Sequence, residues 1–232
     1  MKIQILHCIE GAKKAEGLTV IIDVFRAFSL ECYAFAEGAD KIYPVGDIEE
    51  AYRRKKEDHK ALLAGERNGK MCQGFDLGNS PSQLAHLSVQ GKTLIHTTSA
   101  GTQGIVNAVC SSEIVTGSLV NAKAVAEYIR RKNPDTVSLV CMGFGGVREA
   151  KEDTLCAEYI KSILTNQDFP IDERIKALRT DGGEHFFNKE TQDVYPEADY
   201  WMCIEYGKFP FVLKIGKDNQ GRHISERIFI DL

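Results

Sequence analysis

No run of this chain is apolar for anything near the ~20 residues a membrane-spanning helix needs, and no CxxC pair occurs in it. The first absence speaks against a place in the membrane. The second speaks against a zinc site or a disulfide framework. The seven cysteines are odd in number and scattered, and Cys32, Cys110, Cys141 and Cys156 sit in apolar surroundings, the pattern of reduced thiols in a cytoplasm. Charge of one sign is not in surplus either. A net charge of −4 offers no general affinity for nucleic acid or a membrane surface. The one basic run, Arg53 to Lys56, is followed at once by Glu57 and Asp58, so it reads as a solvated helix face. The N-terminus is too short and too soon charged for a signal peptide. GxxxxGK(S/T) is missing, so ATP or GTP is not the natural ligand. HExxH and a readable Ser-His-Asp arrangement are missing too. Without a linker-like shift, a repeat or a low-complexity stretch, the chain reads as one domain over 1–232, with a C-terminal extension of its sheet from about residue 171.

What is present is alternation. Short apolar runs at 18–23, 41–45, 61–64, 93–96, 113–115 and 137–141 read as strands. Helical patterns at 27–37, 48–58, 102–109, 121–131 and 150–164 separate or follow them. This predicts an α/β fold with helices on both faces of a largely parallel or mixed sheet. After 164 the pattern weakens. Residues 171–178 read as a short helix, 200–204, 211–215 and 226–230 as strands, and 217–221 as a hairpin turn.

In such folds ligands collect beyond the carboxyl ends of the strands, and polar clusters fall there repeatedly. The densest is 62–81, LLAGERNGKMCQGFDLGNSP. Its glycines permit close backbone approach, its acids and amide suit a hard cation, and its arginine suits an oxyanion; Cys72 within it reads as a semi-buried bystander. Asp23 ends a strand with Arg26 three residues on, either an ion and anion site or a structural pair capping the helix. Thr97, Thr98, Gly101 and Thr102 lead from a strand into a helix, either an oxyanion cradle or an N-cap run. Gly117, Ser118 and Asn121 repeat that ambiguity. Glu149, Glu152 and Asp153 open a helix after the glycines at 143–146, where acids also simply complement the helix dipole. Of the histidines, only His185 merits watching, and His96 reads as a core residue.

IIDVFRA, LLAGERNG, GFDLGNSP, TTSAGT, GSLVNA and EDTLCA follow one another in order and at suitable intervals. Together they resemble the 2-phosphosulfolactate phosphatases, the ComB-like family, over about 18–164 and more loosely to the end. The resemblance implies a three-layer α/β/α sandwich and a Mg²⁺-dependent phosphatase that converts 2-phosphosulfolactate to sulfolactate and phosphate in coenzyme M biosynthesis. Carried onto this chain, it implies catalytic roles for Asp23, Arg26, Glu66 and Asp76, and Mg²⁺ held by Asp23, Glu66, Asp76 and Asp153. Arg26 and Arg67 would hold anionic groups. Gly78, Asn79, Ser80, Thr97, Thr98, Gly101, Thr102, Gly117 and Ser118 would line the substrate. Attack by water or by Asp23 are both open. Two departures bear on the substrate. Phe28 replaces a small hydroxyl residue, and Ala100 stands where asparagine is common. Another phosphorylated 2-hydroxy acid is therefore the alternative substrate, and a non-catalytic binder of small sulfonate or phosphate anions the alternative function. A homodimer is compatible with the resemblance and with the apolar C-terminal strands.

Overall fold

The computed structural model describes residues 1–231. Its first half runs β1 (Lys2–His7), α1 (Cys8–Lys13), β2 (Gly17–Ile22), α2 (Ala27–Ala36), β3 (Lys41–Pro44), α3 (Ile48–Glu57), β4 (Leu62–Arg67) and β5 (Lys70–Met71). It continues through β6 (Thr93–Thr97), α4 (Gly101–Asn107), β7 (Ser111–Gly117), α5 (Ala122–Lys132), β8 (Thr136–Cys141) and α6 (Lys151–Leu164). The chain then passes through α7 (Ile171–Leu178), α8 (Glu197–Cys203), β9 (Phe211–Lys217) and β10 (His223–Phe229).

β2 shows why the sequence builds layers. Its residues Thr19 to Ile22 are all β-branched, a composition that favours strand over helix. Leu18, Val20 and Ile22 point into the core under α5 and α6, whereas Ile21 points to the opposite face, into the cluster with Phe28, Ile105 and Val140. A strand buried on both faces reads as a continuous apolar run, as central parallel strands do. The result is a three-layer α/β/α sandwich, as the sequence predicts.

The ten strands are ordered β1-β8-β2-β7-β9-β10-β3-β6-β4-β5. β1, β8, β2 and β7 form one parallel block, and β3, β6 and β4 a second. Between them lies the antiparallel hairpin of β9 and β10, paired to β7 on one side and touching β3 at Ser225 on the other. The segment expected as a C-terminal extension of the sheet thus sits at its centre. Residues 200–204, expected as a strand, instead form the end of helix α8 through Cys203 and its C-cap Ile204; YWMCI is too short an apolar run for periodicity to separate helix from strand. All seven cysteines are free.

Candidate functional site

The carboxyl ends of β2, β4 and β6 and the loop after β8 enclose a cleft of about 640 Å³, part of it open to solvent. Asp23, Arg26, Glu66 and Asn79 reach it from the predicted set, together with Ser99, Ala100, Glu152, His185 and Tyr195. Asp23 follows the last residue of β2. Its Oδ1 accepts the Ala27 backbone N–H at 3.0 Å, which starts helix α2 and fixes the carboxylate against the helix end. Helix α4 begins at Gly101 directly above it. A Cβ on Gly101 would lie 2.8 Å from both Asp23 Oδ2 and Ala27 Cβ, so only glycine lets α4 approach this closely. The pairing of Asp23 and Arg26 was open in the sequence; in the structure Asp23 caps the helix while Arg26 bonds elsewhere.

The cleft is acidic, and its acids differ in how well they are satisfied. Glu66 is buried and saturated: Oε1 accepts Ser99 N–H at 2.6 Å, and Oε2 accepts Gly69 N–H at 2.7 Å and the Ser99 hydroxyl at 3.1 Å. It ties the 65–69 turn to the loop after β6. Asp153 is saturated as well, by Val24 N–H at 2.8 Å and Gly143 N–H at 2.7 Å, so it holds the glycine loop to the end of β2. Asp23 Oδ2 has no such donor among the described residues. Burial first, and then the neighbouring Asp153 charge, push Asp23 up to about 8. Glu152 lines the same cleft and is raised by burial and by Asp23. Burial raises Asp153 too, but two backbone donors favour its ionised form. Asp23, Glu152 and Asp153 are thus all held above the usual carboxylate range, by burial first and then by one another's charge.

Two cleft-facing carboxylates without full hydrogen-bond partners suit Mg²⁺, which keeps several waters and takes one or two protein carboxylates. The four-acid set expected from sequence does not converge, and among the described residues no three Asp, Glu, His or Cys side chains form a closed metal cage. Asp76 is the clearest departure. Its carboxylate accepts Leu63 N–H at 2.8 Å and lies 3.4 Å from Lys55 Nζ, three residues back along β4 from Glu66. It caps the start of the strand, away from the cleft. Glu152, which the sequence grouped with Glu149 and Asp153 at the head of a helix after a glycine loop but left out of the expected metal set, is the one of the three that lines this cleft.

Arg26 is buried, with Nη1 donating to Asp199 Oδ2 at 2.7 Å and to the Val194 carbonyl at 2.8 Å. Its guanidinium centre lies 5.0 Å from the Tyr195 ring centroid and 5.8 Å from that of Phe186. Arg26 and Asn79 also line an adjoining cavity with Lys70, Gly78, Ser80 and Gln83. Asn79 Oδ1 is buried with no hydrogen-bond partner, a polar atom awaiting a donor or a cation. The segment with His185, Phe186, Tyr195 and Asp199 covers this side of the cleft. Burial, and then Arg26, lower the His185 pKa, which favours the neutral ring. Apart from His185, none of these covering residues carried a sequence signal.

The remaining predicted residues shape the site without facing it. Arg67 spends its fork on the Glu66 and Gly46 carbonyls and Thr97 Oγ1. Thr98 and Thr102 bond one another reciprocally at the head of α4, whose N-cap position is Ala100. Gly117 packs where a Cβ would meet Val20 at 2.8 Å, and its carbonyl accepts Asp23 N–H. Ser118 is fully buried in a capping box with Asn121. Gly78 N–H donates to Gln83. Phe28 is wholly buried beneath Gly101 and is no ligand contact, whereas Ala100 does line the cleft. Burial raises the Cys72 thiol, consistent with a bystander.

Residues 5–184 match the family model described as 2-phosphosulpholactate phosphatase. A protein of Carboxydothermus hydrogenoformans named probable 2-phosphosulfolactate phosphatase is 44% identical over 168 residues, 72% of this chain and 69% of that protein. One of the same name from Caldicellulosiruptor saccharolyticus is 41% identical over 67% of this chain and 65% of its own length. Another from Bacillus subtilis is 32% identical over 92% of both chains.

Proposed function

This chain belongs to the 2-phosphosulpholactate phosphatase family, and from that premise we propose that it hydrolyses 2-phosphosulfolactate to 3-sulfolactate and phosphate with Mg²⁺. The observation that carries the reading is the buried, under-bonded carboxylate of Asp23, aimed into a cleft it shares with Glu152 and Arg26. An acidic cleft repels a multiply charged anion, and a cation between the two relieves that repulsion, so the donor set and the substrate together suit a metal. Asp23 and Glu152 would hold it, with Asn79 Oδ1 as a neutral oxygen nearby on the same wall. When bound, Mg²⁺ supplies charge neutralisation at the phosphoryl oxygens.

The chain's own residues do the rest. Arg26 presents the cleft with the guanidinium nitrogens that Asp199 and Val194 leave unused, suited to a phosphate, sulfonate or carboxylate. The P–O ester bond breaks, an oxygen from water ends on phosphorus, and the leaving oxygen takes a proton. Asp23 either orients that water or attacks phosphorus itself, giving an aspartyl-phosphate that water then opens. Tyr195 and His185 restrict access from solvent.

Phosphate release from 2-phosphosulfolactate and from 2-phospholactate, each with Mg²⁺ and then with chelator, tests the proposal. Chelator-sensitive release that is much faster from the sulfonated ester is the expected result. Ala100 on the cleft wall favours the second reading, a different phosphorylated 2-hydroxy acid, and equal or faster turnover of phospholactate would establish it. No release from either ester would point to an anion-binding protein.

A further inference from the structure

We propose that Asp199, on helix α8, is a positioning residue that aims Arg26 at the substrate's anionic group and locks the 78–82 loop beside it. The inference rests on the reading of this cleft as an anion site. It assigns a role to a residue beyond the 5–184 segment that matches the family.

Asp199 is fully buried, and each of its oxygens has work to do. Oδ2 takes Arg26 Nη1 at 2.7 Å. Oδ1 takes both the Ser80 hydroxyl and the Ser82 backbone N–H at 2.9 Å. One carboxylate thus joins the start of α2, the loop after GFDLG and the C-terminal helix. Arg26 is held through Nη1 alone, because the second Nη1 hydrogen goes to the Val194 carbonyl. Nε and Nη2 have no protein acceptor among the described residues, and Arg26 lines both adjoining cavities.

A pair built for stability alone would use the arginine's fork in full. Bidentate pairing is the strong arrangement, and replacing a buried ion pair by apolar packing is often neutral or stabilising. Here the carboxylate takes one nitrogen and leaves the other two toward the cleft. Phe186 and Tyr195 flank the guanidinium and fix its plane. Asn79, with its unpartnered Oδ1, is carried on the loop that Asp199 anchors. Asp199 therefore sets where two of the cleft's polar groups stand without touching the ligand.

Asp199→Asn is the informative change. Both oxygens accept, so an amide must turn its NH₂ toward either Arg26 or Ser82 N–H, donor against donor. The readouts are KM and kcat with Mg²⁺, and the affinity for inorganic phosphate by calorimetry, which needs no turnover. The expected result is a rise of about tenfold or more in KM and in the phosphate Kd, with kcat changed less than threefold, because anion binding is lost in ground and transition state alike. Arg26→Gln should show a comparable loss, and the double variant should lose clearly less than the product of the two single losses, since Asp199 acts in large part through that arginine. Phosphate affinity and KM at wild-type values in a folded Asp199→Asn protein would overturn the assignment, as would strictly additive losses in the double variant. Should Asp199→Asn not fold, Ser80→Ala removes one anchor and keeps the charge pair. It should raise the phosphate Kd about threefold, and an unchanged Kd there also overturns the assignment. A wild-type protein that binds phosphate through Arg26 yet releases none from phosphosulfolactate would refute the proposed activity and leave this inference standing.

Discussion

Asp23 combines three properties that separate it from the other acids: a place at the end of β2, near-complete burial, and one oxygen without a donor. Replacing it with asparagine keeps the volume and the Ala27 cap but removes the charge. Turnover should fall on the order of 10⁴, the scale seen when one essential catalytic group is lost, with Tm held or raised. Activity within tenfold of wild type would remove Asp23 from the mechanism. The same residue sets a pH dependence of stability. Its folded value is raised to about 8, above the ~4 of an unfolded aspartate. The folded protein therefore binds more protons than the unfolded one between these limits, and stability falls as pH rises through that window. In chelator, Tm should decline from about pH 4 toward pH 8, and the Asp23→Asn variant should show a shallower decline. Added Mg²⁺ should raise Tm most at the alkaline end. The sequence marked Asp23 because it ends a buried strand with Arg26 three residues on, inside IIDVFRA, one of the segments that carry the family resemblance. It marked Asp76 wrongly because GFDLG looks like a ligand loop, and only the pairing of Leu77 beside Ala64 carries that aspartate back to the start of β4.

Among the elements, the meeting of α2 and α4 decides the site's geometry. Gly101 permits it, and alanine there would press on Ala27 Cβ and Asp23 Oδ2 together. Helix propensity favours alanine by about 1 kcal/mol, yet overpacking costs typically 1–3 kcal/mol. Gly101→Ala should therefore be destabilised by no more than about 2 kcal/mol in urea unfolding. Its kcat should fall more than tenfold if Asp23 has the proposed role, since the softer of the two obstacles is the Asp23 carboxylate. Unchanged kcat would mean that α4 tilts away as a unit and that Asp23 does not depend on it. Elements with a clear pattern and a nearby turn residue, Gly46, Gly91 or Pro170, were legible: 48–58, 93–96 and 171–178 differ from the observed bounds by at most one residue. β1 was not, because a six-residue strand at the sheet edge, exposed or half-buried throughout, carries little hydrophobic contrast. Nor was α8, and with it Asp199, since five apolar residues in a row have no visible period. The C-terminal half of the site was hidden for that local reason.

The whole molecule turns on the hairpin of β9 and β10. The strands at 211–217 and 223–229 are largely legible in the sequence, but their place in the sheet is not, because pairing across a hundred or more residues leaves no local mark. Val212 and Leu213 are fully buried, one under each helical layer, and Ser225 donates at 2.9 Å to Glu31, which also holds His96 at 2.8 Å. That buried network stitches the hairpin to α2 and β6. Were the hairpin an appendage, a protein ending at residue 206 would keep both parallel blocks, lose little stability and retain the cleft residues through Asp199. With the hairpin at the sheet's centre, the same truncation exposes the facing edges of β7 and β3 and leaves the Glu31–His96 pair short of a donor, a loss of about 1–3 kcal/mol for that group alone. The two blocks then have no direct strand pairing, and unpaired central strands are sites of aggregation. The truncated chain should show no cooperative unfolding transition and should associate at micromolar concentration, both measurable by circular dichroism and sedimentation. A sharp transition within a few degrees of the full chain would mean that β7 and β3 can close on each other, and that the hairpin is a later addition to a sheet already complete.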